Sequence, residues 1–212
     1  MAESSAQVAA AVVAAKVERE HALWQRNAES YRRRGWLLLG HDDVTFDVGF
    51  LATVAMPTGP LELMPTTVRF DFTDFDLEPP SVRFIDPRTG EDRMPASRAL
   101  TPTPEGPRDL VLNDHPVFAR PFLCVPGTRE YHEHPQHSGD LWLLHRGSGA
   151  GRLAPLCDLI WRTMSDNVLG LNVAVQALPA PLGYQVQFNV LQGDRQQLAN
   201  AAIAAGQAIA GG

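Results

Sequence analysis

The sequence predicts an α+β fold: an N-terminal helix, an antiparallel β-meander, a loop carrying the reactive residues, and C-terminal helices. Three observations predict it. From Ala6 to about Arg34 the chain lacks Pro and Gly and is rich in the helix formers Ala, Glu, Gln, Lys and Arg. Between Val44 and Phe72 apolar and polar residues alternate with a period of two, the signature of half-buried strands. From Arg152 to Met164, Leu153, Leu156, Cys157, Ile160 and Trp161 recur at helical spacing.

The first helix has Ser4 or Ser5 as a candidate N-cap and Gly35 as its stop. Its apolar positions Val8, Val12, Val13, Val17, Leu23 and Trp24 follow the helical period only loosely. Arg32, Arg33 and Arg34 suit the negative end of the helix dipole and read as a solvated cap. In the strand region Val44, Phe46 and Val48 alternate with Thr45 and Asp47, and Phe50, Ala52 and Val54 continue after a break at Gly49. Leu61, Leu63, Val68, Phe70 and Phe72 read as further strand segments around Pro65. Val82, Phe84 and Ile85 form another before the Asp86-Pro87-Arg88-Thr89-Gly90 turn. Short strands joined in order predict a meander.

Four prolines between Glu91 and Arg108 predict a long irregular connection. Pro155 is tolerable in the first turn of the later amphipathic helix. Gly183 to Leu191 reads as a closing strand and Gln196 to Ala210 as a last helix, with Gly211-Gly212 a frayed terminus. One domain spanning residues 1–212 is expected for 212 residues.

Composition narrows the function. A formal net charge of -6 argues against a broad nucleic-acid surface, which needs clustered Lys and Arg. The Ala-rich start is broken by Lys16, Glu18, Arg19 and Glu20, so neither a signal peptide nor a membrane span is expected, and a cytoplasmic location follows. Two cysteines, Cys124 and Cys157, are too few for a disulfide framework, so reduced thiols are expected. Gly147 to Gly151 lacks the Lys-Ser/Thr ending of a phosphate loop and reads as a flexible turn.

The chemistry concentrates between Asn113 and Trp142, and five of the seven histidines lie between His115 and His145. Cys124, Glu130, His132, His134 and His137 span 14 residues, and thiolate, carboxylate and imidazole are the donors that bind zinc. If Glu130 to His134 is extended, as Pro135 suggests, His132 and His134 share a face and His137 reaches back. Cys124 reads equally as a nucleophile, with nearby imidazoles lowering its pKa, or as a small buried core residue. Cys157 lies on the apolar face of a helix and reads as core.

These features resemble the ubiquitin-conjugating enzyme family. Asp74 to Pro87 (DFDLEPPSVRFIDP) is similar to that family's segment of paired prolines before a Val-x-Phe strand. His115-Pro116 stands nine residues before Cys124, as the family's His-Pro-Asn motif precedes its catalytic cysteine. Trp142 and the helix after it also fall in family order. Val117 stands where the family has the Asn that stabilises an oxyanion, leaving Asn113 as a candidate substitute. The segment after Cys124 also resembles a bacterial predicted metal-binding family with a Cys-Glu-His-His set, found beside ubiquitin-like genes. The two resemblances cover roughly residues 10–165, leaving about 166–212 as a C-terminal extension.

The resemblance implies two roles within a bacterial ubiquitin-like modification system. In the first, Cys124 carries a modifier received from its activating enzyme by thioester exchange, with His115 and Asn113 beside it and His132 or His134 assisting proton transfer. In the second, the chain is a zinc-binding adaptor (Zn2+ held by Cys124, Glu130, His132 or His134, and His137) without transfer activity.

Overall fold

Helix α1 (Ala10–Arg33) buries Val13, Val17, Glu20 and Trp24, a stripe at spacings of four, three and four residues. The carboxylate in this stripe explains why the apolar period looked loose. Glu20 accepts hydrogen bonds from Arg152 Nε at 3.0 Å and from the Leu153 amide at 3.3 Å, so it caps a later helix rather than facing water. The structure, a computed structural model, describes residues 10–56, 58–101, 103–104, 108–177 and 184–193. The N-cap serines, the last helix at Gln196 to Ala210 and Gly211-Gly212 lie outside those residues.

The predicted meander is present as β1 (Trp36–His41), β2 (Thr45–Met56), β3 (Gly59–Asp71) and β4 (Ser81–Phe84), antiparallel and in sequential order. β1 (WLLLGH) is an apolar run without period-two alternation, so it carries no strand signal of its own. Sequence reading split what is one continuous strand at Pro65. The register moves from Phe50↔Thr66 to Ala52↔Leu63, so Met64 and Pro65 together face Leu51. Pro65 therefore occupies a β-bulge, where a residue without an N–H breaks no ladder bond. Phe46, Val48, Phe50, Val68, Phe70, Val82 and Phe84 face the core against Val13, Val17 and Trp24 of α1.

Among its described residues the Glu91 to Arg108 connection is irregular apart from an Ile85↔Asp92 bridge and a short ladder, β5 (Leu100–Thr101) with β6 (Arg108–Asp109). A second short hairpin, β7 (Val111–Leu112) with β8 (Phe122–Leu123), delivers the chain to Cys124. A one-turn helix, α2 (Arg129–His132), follows. Helix α3 (Leu153–Ile160) runs into a π-turn at Trp161–Ser165 and buries Leu153, Leu156, Cys157, Ile160 and Met164 in the same core as α1.

Arg32, Arg33 and Arg34 are all exposed, as a solvated cap should be, and Arg34 in addition bonds Asp158 of α3 at 2.8 Å. Beyond α3 lie β9 (Val168–Ala177), which the sequence did not announce, and β10 (Tyr184–Gln192), paired antiparallel. Val168 packs with Ala52 and Val54. Among the described residues no helix is long and apolar enough to cross a membrane.

Two stability measurements test this packing. Phe70→Ala removes a fully buried ring and should cost about 3–5 kcal/mol in urea unfolding followed by tryptophan fluorescence. Glu20→Ala should cost about 1–3 kcal/mol through the lost cap and charged hydrogen bond. The exposed Glu18→Ala should stay within about 0.5 kcal/mol of wild type.

Candidate functional site

The site is built where β8 ends. Cys124 donates its amide to Leu110 O at 2.8 Å, extending the hairpin by one residue, and the chain then turns through Val125-Pro126-Gly127. Gly127 sits at φ +92°, and a Cβ there would meet Ala150 O at 2.8 Å, so only glycine fits. Thr128 Oγ1 accepts from the Tyr131 amide at 3.3 Å and donates to Val125 O at 2.9 Å, capping α2 while holding the turn closed.

The cap makes Arg129–His132 helical, so the extended stretch expected from Glu130 to His134 does not form. Pro135 instead opens a 3-10 turn, Pro135–His137, with His134 as its N-cap. His132 and His134 consequently serve different surroundings. His134 accepts the Gln136 amide on Nδ1 at 3.3 Å and lies parallel to Phe122, ring centroids 5.7 Å apart.

Glu130 points into the protein. Its carboxylate accepts from Ser81 Oγ at 2.5 Å, from the Val82 amide at 2.9 Å and from Arg120 at 2.9 Å, and the side chain is fully buried. Its carbonyl meets His115 Nε2 at 2.7 Å. His115 Nδ1 takes the Val117 and Phe118 amides at 3.1 and 3.3 Å, which fixes Nε2 as the protonated nitrogen. His115 is buried, so it shapes the loop rather than meeting solvent. Asn113 is exposed in the bend just past β7, while Cys124 bonds Leu110 at the other end of that strand, so the structure does not bring Asn113 to the thiol.

Cys124 and His137 are brought together, Sγ to Nε2 at 3.3 Å, with the cysteine half-buried. Tyr131 stacks on the His137 ring at 3.9 Å and 16°, and its hydroxyl donates to Asp140 Oδ2 at 2.9 Å. Asp140 Oδ1 meets His145 Nε2 at 2.5 Å. His132 accepts the Gly127 amide on Nε2 at 3.2 Å and so donates Nδ1–H to Asp140 O at 2.7 Å.

Burial raises the Cys124 thiol above its ordinary pKa, with Arg108 pulling it partly back. The lowering expected from neighbouring imidazoles is not the net effect, because an imidazole stabilises a thiolate electrostatically only while it is protonated. Burial lowers His132 below the ordinary imidazole value, against a rise from its bond to Asp140 O. The His145 and Tyr131 hydrogen bonds, in that order, lower Asp140.

The donors proposed for zinc do not converge. Glu130 is committed to Arg120, Ser81 and Val82, and both His132 nitrogens are engaged, so two of the five candidates would have to give up bonds before reaching a metal. Among the described residues no group of three or more His, Cys, Asp or Glu side chains is placed to hold a metal ion. Cys157 is fully buried and its thiol is pushed well above its ordinary value, an inert core sulfur as expected.

Sequence reading missed Arg120, Tyr131, Asp140 and His145. Tyr131 and Asp140 lie inside the histidine-rich run, where attention to ligand types hid them. Arg120 had no local signal, because its partners Ser81 and Glu130 come from other elements.

Comparison with known proteins adds a family. The Y4jH-like (Y4jH family) model matches residues 8–101 and 109–166. Over 168 residues the chain is 34% identical to protein y4jH of Sinorhizobium fredii (strain NBRC 101917 / NGR234), an alignment covering 69% of this chain and 78% of that one.

Three results test the site. A thiol reagent should titrate one sulfur in the folded chain and two in denaturant, because Cys157 is enclosed. Glu130→Ala should destabilise the protein by about 3–5 kcal/mol, because it leaves Arg120 largely buried without its carboxylate. The lowered His132 value has a definite sign: below the ordinary 6.5 an unfolded His132 binds a proton that the folded one resists. Stability should therefore fall as pH drops from 6.5 through the folded value, and thermal melts of His132→Gln should show a weaker fall.

Proposed function

We propose, from the premise that the chain belongs to the Y4jH-like family, that it is a conjugating-enzyme-like carrier of a ubiquitin-like modifier on Cys124. The observation that carries this reading is the Cys124–His137 pair, a half-exposed thiol within 3.3 Å of an imidazole nitrogen. A nucleophile and a base within hydrogen-bond reach are the minimum apparatus of thiol acyl transfer. The order of helix α1, four-stranded meander, Pro79-Pro80, His115-Pro116, cysteine, Trp142 and α3 also supports a ubiquitin-conjugating-enzyme-like fold.

The chemistry asked of the pair is thioester exchange. His137 Nε2 takes the Cys124 proton, and the sulfur attacks the carbonyl carbon of a modifier held as a thioester on its activating enzyme. The tetrahedral adduct collapses by breaking the bond to the enzyme's sulfur, and that thiolate recovers a proton from His137. No oxidant or metal enters. A reaction between two thioesters is nearly balanced, so positioning rather than driving force sets the rate. The exposed Leu141, Leu143 and Leu144, in the turn after Asp140, suit a protein partner. The zinc-adaptor reading uses the same sulfur but requires Glu130 to abandon its bonds to Ser81, Val82 and Arg120, and His132 to give up its own unless His134 serves instead, so it has less support.

The test is incubation with an activating enzyme, ATP and modifier, read by intact mass and non-reducing gels. The wild type and Cys157→Ser should form an adduct released by thiol reductant, and Cys124→Ser should form none. An undiminished adduct on Cys124→Ser would overturn the proposal. So would a Cys124 that reacts with thiol reagents only after chelation.

A further inference from the structure

We infer that Tyr131 and Asp140 are positioning residues that present the His137 ring to Cys124. The inference rests on the thiol-transfer reading above and adds a device the reading does not require. His137 ends a 3-10 turn and is only half-buried, so backbone position alone leaves its ring free to rotate about two side-chain bonds. Tyr131 removes that freedom by covering one face of the ring at 3.9 Å with planes 16° apart. Its hydroxyl is in turn tied to Asp140 Oδ2 at 2.9 Å.

Asp140 closes the circuit. Its amide donates to His137 O at 2.9 Å, so the residue that anchors the Tyr131 ring also holds the backbone of the histidine that ring steadies. The other Asp140 oxygen binds His145 Nε2, and its carbonyl takes the His132 Nδ1–H, so Asp140 is fixed from both sides. The circuit His137–Tyr131–Asp140–His137 leaves Nε2 aimed at Cys124 Sγ. The charged and titratable groups around the pair are Arg108 and Tyr131 at Cys124, and His132 and His134 at His137, with the Asp140 carboxylate joined to them through the Tyr131 hydroxyl. Asp140 and Tyr131 are both partly exposed, so their substitution removes little buried surface.

The experiment measures the rate of Cys124 alkylation by iodoacetamide on the intact chain, located by mass spectrometry, from about pH 6 to about pH 10. His137→Gln should lower the rate near neutrality by about tenfold, while the rate at the alkaline end, where thiolate forms unaided, stays unchanged. Tyr131→Leu should reproduce that pH-selective loss, because a 1 Å misplacement of a catalytic group costs up to about a hundredfold. Tyr131→Phe keeps the stacked face but loses the hydroxyl tie to Asp140, so it and Asp140→Asn should both fall between Tyr131→Leu and the wild type.

Tyr131→Leu and Asp140→Asn at wild-type rates beside a slow His137→Gln would overturn the positioning and leave the Cys124–His137 pair standing. A wild-type rate in His137→Gln would overturn the pair and the positioning together. Loss uniform across pH in Tyr131→Leu, shared by Tyr131→Phe, would mark a general packing defect and also overturn it.

Discussion

The buried carboxylate of Glu130 is the point on which the rest of the site depends. A charge with no access to water is tolerated only when its lone pairs are filled, and here Ser81, the Val82 amide and Arg120 fill them. Two of those partners belong to β4 and the third to the segment before β8. One side chain therefore bolts α2 to the central sheet. Its carbonyl extends the same fastening to His115, whose other nitrogen gathers the amides of the preceding loop. The reactive segment is long and rich in turns, and Glu130 is its most heavily bonded tie to the sheet, beside the Arg129 amide on Pro80 O and the Trp142 indole on Asp76 O.

That arrangement explains why the residue types mattered less than their directions. Cys124, Glu130, His132, His134 and His137 have the composition of a metal site, and nothing in one dimension distinguishes a carboxylate facing outward from one facing the sheet. The difference comes from Thr128, which caps a single helical turn and rotates Glu130 inward while leaving Tyr131 beside His137. A Thr three residues before Tyr131 is a legible capping signal in principle. The stronger expectation of extended structure before Pro135 obscured it, although that proline only needed to start a new turn.

The same contrast runs through the fold. Period-two alternation located β2 and β3 because their inner residues, Phe46, Val48, Phe50, Val68 and Phe70, all lie in one buried apolar cluster, so burial and hydropathy agree. Pro65 misled because a bulge is defined by the partner strand, which sequence order does not display. Glu20 blurred the stripe on α1 for a related reason: its ligand, the start of α3, lies 133 residues away. Local patterns were readable wherever one face of an element met one kind of environment. They failed wherever a polar side chain was buried to satisfy a distant backbone group.

The glycine-rich turn before α3 is held in the same way. A Cβ on Gly151 would fall 2.7 Å from the Trp142 ring and 2.9 Å from Pro80, just as one on Gly127 would strike Ala150, while Gly147 faces open space. A stretch that reads as slack is thus half clamped, with its rigid end wedged between an indole and the second of two prolines. Pro80, Trp142 and Gly151 can then change only in concert: a bulkier residue in any one needs a smaller surface in another. The spacing between the sheet and the loop is set by the three residues as a matched set, not as three independent letters.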